Sequence, residues 1–161
     1  LVGIRVAYLI GMRTLKTILT IVALTLALYP KTSDAHAIRV TNLNTLRTIY
    51  KVAKKRGVDA QHLIKIAFME STFKENAYRV NKNGTVDVGI FQINSVHWTT
   101  TCKEFDVFTL VGNTECAAKI VKKIQLKHSM VDKHWLGRYH SKTPSKKIAY
   151  SNKLSTLVVM R

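Results

Sequence analysis

The chain has 161 residues, 47% of them hydrophobic, and a formal net charge of +17. That length fits one compact domain with a single core plus whatever targeting segment the chain carries. An excess of 26 Lys and Arg over 9 Asp and Glu attracts polyanions, of which nucleic acid is the first to consider; the signs of export below argue against it and favour membrane surfaces or the bacterial cell wall, whose peptides carry free carboxylates.

Residues 12–37, MRTLKTILTIVALTLALYPKTSDAHA, present Arg13 and Lys16, an apolar run from Ile18 to Leu28, and Ala35-His36-Ala37. This order reads as a secretory signal peptide cleaved after Ala37. The run falls short of the ~20 apolar residues that spanning needs, so no stable membrane span is expected in the mature protein. The preceding LVGIRVAYLIG begins with Leu, and translation is expected to start at Met12. The expected organisation is an N-terminal extension with signal peptide over 1–37 and one domain over 38–161, exported to the periplasm or cell wall.

In NLNTLRTIYKVAKKR, Leu46, Ile49, Tyr50 and Ala53 recur at helical spacing and Gly57 follows as a stop, predicting an amphipathic helix over Asn42 to Arg56. Asp59 then caps a second helix whose stripe is Leu63, Ile66, Ala67 and Glu70, with Phe68 and Met69 making the remaining surface apolar too. Past Phe73 the periodicity fails. An Asn83-Gly84 turn and the alternation of Val86, Val88 and Ile90 predict a small hairpin or irregular sheet from Arg79 to Ile93.

Cys102 and Cys116 follow, and an even count in a small exported domain predicts a disulfide, worth ~3 kcal/mol for a loop of this length in the chain-entropy model. Without a CxxC pair or a histidine cluster they make a poor metal site. Asn113 is read as the cap of a third helix that buries Ala117, Ile120, Val121 and Ile124 and keeps Glu115 near its positive end. Val131 to Tyr139 reads as a short helix or turn, and Thr143-Pro144 opens a last helix toward Leu157. The sum is an α+β domain, mainly helical, with a minimal sheet.

Glu70 is the residue that asks for an explanation. A carboxylate on an apolar stripe loses hydration, which raises its pKa toward the range of a general acid. On periodicity alone, an end that turns into water or pairs with a lysine is the stronger explanation.

Three segments add to this reading: Glu70-Ser71 with Phe73; Gly89, Phe91, Gln92, Ile93 and Asn94; and Gly137, Arg138 and Tyr139. In that order they resemble the soluble lytic transglycosylases and goose-type lysozymes, over about Thr41 to Tyr150. Size and the GRYHS stretch look most like the small members that accompany conjugation, pilus and type III secretion machines. The resemblance implies a lysozyme-like fold and cleavage of peptidoglycan glycan strands between N-acetylmuramic acid and N-acetylglucosamine, leaving a 1,6-anhydro end. It implies one carboxylate, Glu70, as acid and then base, and no metal or cofactor.

Ser71, Gln92, Asn94 and Tyr139 are the expected substrate-binding residues. Each has a local alternative: a helix cap for Ser71, completion of the hairpin's backbone bonds for Gln92 and Asn94, and core packing for Tyr139. His140 stands where many relatives have asparagine. A two-carboxylate glycosidase would need a second acid at the bond, and the candidates are Glu75 and Asp87. Phe73, Phe91, Trp98 and Trp135 are candidates for sugar stacking, with the core as the default for the two phenylalanines. A hydrolytic muramidase on the same fold and an inactive wall-binding scaffold remain open alternatives.

Overall fold

The computed structural model describes residues 36–38 and 42–159; the Met12 start and the signal segment up to residue 35 lie outside them. Helix α1, Leu43–Arg56, begins at Asn42, whose side chain accepts from the Asn44 and Thr45 amides, and stops at Gly57 in the left-handed conformation. Its buried side is Thr45, Ile49, Val52 and Ala53, so the stripe lies about one residue away from the expected one and Tyr50 is exposed. Helix α2, Ala60–Ser71, is capped by Asp59 and buries Leu63, Ile64, Ile66 and Ala67.

Strands β2 (Tyr78–Val80), β3 (Val86–Val88) and β4 (Ile93–Asn94) form an antiparallel sheet in that order. The predicted hairpin is therefore its first two strands. Helix α3, Leu110–His128, starts four residues earlier than expected: Thr109, in place of Asn113, is the cap and accepts from the Gly112 amide. Asn113 lies inside that helix, where its side chain is buried and bonds outward to the sheet and the preceding loop. Ala117 and Val121 are buried as expected, whereas Ile120 and Ile124 are only partly so.

Glu115 is also buried, and what holds it is the pair of α1 cations, Lys55 at 2.7 Å and Arg56 at 2.5 Å, more than the helix end. Burial pushes the Glu115 carboxyl up, but these two bonds outweigh it and hold the group below its usual range. Cys102 and Cys116 are bonded to one another, which ties the loop before α3 to its second turn.

A 3-10 turn at Trp135–Tyr139 leads to helix α4, Pro144–Thr156, with proline in its first turn as predicted. The chain then extends into β5, Leu157–Val159, which pairs in parallel with β1, His36–Ile38. This second sheet was not foreseen, and β1 crosses the expected cleavage point after Ala37. Ile38 and Leu157 are buried in the same core as Ile49, Leu63, Ile66 and Phe91. Among the described residues no helix is long and apolar enough to cross a membrane.

Candidate active site

The end of α2 is built to present Glu70. The stripe of Leu63, Ile66 and Ala67 is fully buried, and one turn further the same face reaches the edge of the core, where the Glu70 side chain is 12% exposed. The helix then stops abruptly. Thr72 and Phe73 both take positive φ, 52° and 63°, a conformation usually left to glycine, and their amides close back onto Phe68 and Ala67. Ser71 fastens this end by donating to the Ile90 carbonyl at 2.9 Å.

The facing loop, Gly89 to Gln92, is shaped from below by Asn113. Its Oδ1 accepts from the Phe91 amide at 3.0 Å, and its Nδ2 donates to the Val88 and Val107 carbonyls at 3.0 and 2.8 Å. Gly89 has φ +75°, and a Cβ there would overlap the Asn113 amide, so both backbone conformation and space require glycine. Phe91 is drawn fully into the core and Gln92, at φ +47°, returns the chain to the surface. The Gln92 Nε2 donates to the Gly89 carbonyl at 3.0 Å and that of Ala77 at 3.3 Å, leaving the amide oxygen as its acceptor for a ligand.

These elements enclose a cleft of about 610 Å³ whose walls include Glu70, Asp87, Gln92, Asn94, Tyr139 and His140, with Arg79, Lys82 and Lys146 also on its lining. Tyr150 of α4 donates its hydroxyl to Glu70 Oε1 at 2.7 Å. The His140 ring lies flat against the Tyr150 ring, centroids 4.8 Å apart, and brings its Nδ1 to 3.9 Å from the same oxygen. Burial pushes the Glu70 carboxyl above its ordinary value; the Tyr150 hydrogen bond and the charges of His140 and Arg79 oppose that, and Asp87 adds to it.

Asp87 follows from sheet register. Arg79 on β2, Asp87 on β3 and Asn94 on β4 lie opposite one another in one row. The buried Asp87 carboxylate accepts from Arg79 at 2.6 and 3.2 Å, from Asn81 at 3.0 Å and from Asn94 at 2.6 Å. Burial raises its pKa, but these donors outweigh it and hold the carboxyl below the ordinary range. The two cleft carboxylates are thus pushed in opposite directions.

The sequence-predicted residues fall into two groups. Glu70, Gln92, Asn94 and Tyr139 all line the cleft, whereas Ser71 turns under it. Asn94 uses its amide on Asp87, on Thr85 at 2.9 Å and on the Val96 amide at 3.1 Å, so its bonds position the acid and start the next turn. Tyr139 donates to the Phe91 carbonyl at 2.9 Å, and it is Tyr150 that reaches Glu70. Tyr150 was not singled out from the sequence; the signal available was a tyrosine four residues before Leu154 on the buried side of the last helix.

Glu75 is tied to Thr45 of α1 at 2.8 Å and does not line the cleft. Nor do the four candidate stacking aromatics. Phe73 leans on Phe68, Phe91 is core, Trp98 bonds the Ile93 carbonyl and packs on Phe108, and Trp135 packs edge-on against His62. Among the described residues no cluster of three metal-ligating side chains is present.

Comparison with known proteins agrees with this geometry. A mouse protein named Lysozyme-like protein 6 is 35% identical over 68 residues, covering 35% of this chain and 46% of its own length. The chain therefore spans about half of that relative. The family model for the transglycosylase SLT domain matches residues 47–137, more than half of the chain and a stretch that includes Glu70, Asp87, Gln92 and Asn94, so this chain belongs to the transglycosylase SLT family, within the lysozyme-like superfamily.

Proposed function

We propose that this protein is a lytic transglycosylase that cuts peptidoglycan glycan strands between N-acetylmuramic acid and N-acetylglucosamine. The observation that carries the reading is Glu70: a carboxyl with a raised pKa, held by Tyr150 in a cleft lined by amide, hydroxyl and cationic side chains. Protonated Glu70 gives its proton to the glycosidic oxygen as the bond to C1 breaks. The sugar's own acetamido oxygen supports the electron-poor C1, and the Glu70 carboxylate then takes the proton of the 6-hydroxyl as that oxygen bonds to C1. No water is consumed, and the new end is a 1,6-anhydro sugar.

A second reading has a specific observation behind it. Asp87 is a buried anion on the wall of the same cleft, and a second carboxylate is what a hydrolytic muramidase uses. The two reactions differ in product mass by one water. Purified sacculi digested with the protein are expected to yield anhydro-muropeptides, and yield none with Glu70→Gln, which should stay folded. Reducing ends alone would transfer the assignment to hydrolysis, and undiminished lysis by Glu70→Gln would remove Glu70 from the chemistry. Folded wild-type protein without activity on sacculi would leave the wall-binding scaffold.

Export to the periplasm, and opening of the wall for a secretion, conjugation or pilus apparatus, belong to the same proposal. What supports export is the Cys102–Cys116 disulfide and the leader-like sequence before residue 38.

A further inference from the structure

The turn at Trp135–Tyr139 and the residues after it face two ways. Tyr139, His140 and Ser141 line the Glu70 cleft, whereas Arg138 and Lys142 line a second concavity of about 480 Å³, completed by Lys123, Ile124, Lys127 and His128 of α3. Five of its six lining residues are basic and none is acidic. Only Arg138 has a carboxylate partner among the described residues, Asp132 at 3.0 Å, and Asp132 is shared with Lys147.

Lys123 and Lys127 stand one helical turn apart, where like charges repel and destabilise a helix. The local field is correspondingly positive. Burial first, then Arg138 and Lys127, hold the His128 imidazole below its ordinary pKa. His97, on the wall of the Glu70 cleft, is lowered by burial and then by Lys123 and Lys142. The two concavities are neighbours along the 138–142 segment, whose residues line one or the other.

We propose that this basic groove binds the carboxylates of the peptide stems that branch from the glycan strand lying in the Glu70 cleft. The proposal rests on peptidoglycan being the substrate. The sugars offer hydroxyl and acetamido groups, which give a patch of unpaired cations nothing to neutralise. The stems project sideways from the muramoyl residues and carry free carboxylates. Lysine is a flexible point charge suited to an anion that arrives in varied poses, unlike the fixed fork of arginine. Concavity and a position next to the cleft, across the 138–142 segment, favour this occupant over a flat anionic membrane.

The test uses Lys123→Gln/Lys127→Gln/Lys142→Gln, three lysines outside the catalytic cleft, in two backgrounds. In the Glu70→Gln background, co-sedimentation is measured with sacculi and with the same strands after amidase treatment, which removes the stems and leaves only the lactyl carboxylate on the sugar. The triple variant is expected to bind stem-bearing strands about tenfold more weakly, about 1.4 kcal/mol, and stripped strands as tightly as its parent. Raising salt should erase the parent's advantage. With Glu70 intact, the triple variant should raise KM about tenfold on stem-bearing strands and leave kcat within about twofold.

Equal binding of parent and variant to stem-bearing strands overturns the proposal, and so does an equal loss on both kinds of strand. A loss confined to phosphatidylglycerol vesicles reassigns the groove to a membrane surface. Absence of cleavage by the Glu70-intact parent would overturn the reaction reading alone, because the sedimentation result still decides the groove.

Discussion

Tyr150→Phe separates the tyrosine that holds Glu70 from the one that does not. The hydroxyl donates to Glu70 Oε1 at 2.7 Å in a site where the carboxylate is mostly shielded from water. A hydrogen bond to an ionised group contributes ~1.5–3 kcal/mol, and 1.36 kcal/mol is a factor of ten in proton affinity. Its loss therefore favours protonated Glu70 by about tenfold or more, taking the lower end of that range. The phenylalanine ring keeps the stacking on His140, and His140, Arg79 and Asp87, the charged groups facing Glu70, are unchanged.

In the proposed reaction Glu70 starts protonated, so activity should fall as pH rises through its pKa, and the alkaline limb of kcat/KM should move to higher pH in the variant. At the optimum kcat should drop about tenfold, since the carboxylate is no longer aimed. Rates on soluble glycan fragments across pH measure both. Tyr139→Phe is the control: it removes a bond to the Phe91 carbonyl, costs about 1 kcal/mol of stability, and leaves the limb in place. A folded Tyr150→Phe protein whose limb stays put, or moves to lower pH, refutes the argument.

Asp87→Asn removes the fixed charge, and kcat should fall about 10²-fold if that anion faces the developing positive charge at C1, as read by initial rates. The same change leaves Arg79 without its counter-charge and should lower urea-unfolding stability at neutral pH by about 1–3 kcal/mol. The sign follows from the depressed pKa: Asp87 stabilises above its unfolded value of ~3.9 and loses that contribution as pH falls through its folded pKa, so the deficit should shrink in acid. Asp132, held down to about 2 by Lys147 first and also by Arg138, belongs to the same set, so circular dichroism should show wild-type acid unfolding between pH ~4 and about 2. Asn113→Ala strands the Phe91 amide and two carbonyls in the core and should cost more than about 3 kcal/mol in the same urea assay.

The helices were legible because their signals are local. Asn42, Asp59 and Gly57 act within a turn of where they stand, and the Thr143-Pro144 start needs no distant partner. Asn113 misled because an asparagine before a helical pattern has the form of a cap, and only the fold supplies the carbonyls of Val88 and Val107 that draw it inside. The shift of the α1 stripe has a similar origin. Thr45 reads as polar until Glu75, thirty residues away, accepts its hydroxyl. Of the site, Glu70 was visible from its stripe, and the motif order located the loop that faces it. The role of each tyrosine was not visible, since choosing between Tyr139 and Tyr150 depends on how α4 packs across the end of α2.

The opposed pKa shifts have separate structural causes within one cleft. Glu70 is raised because a helix carries it up an apolar face to a point where burial outweighs the help of the Tyr150 phenol, the His140 ring and the Arg79 guanidinium. Asp87 is lowered because a three-strand row delivers a guanidinium and an amide to it, with Asn81 adding a second amide. Asn113 links the two, since it holds the loop between β3 and β4 to α3 and so fixes the height of Gln92 relative to both acids. Two carboxyls driven apart in this way are suited to different work: one to carry a proton in and out, the other to remain charged. For the proposed cleavage of the wall the electrostatics are therefore in place for either product, and the choice between an intramolecular 6-hydroxyl and a water rests on which oxygen the cleft admits to C1. That makes the mass of the new sugar end, measured with Asp87 present and replaced, the measurement that connects this geometry to a reaction.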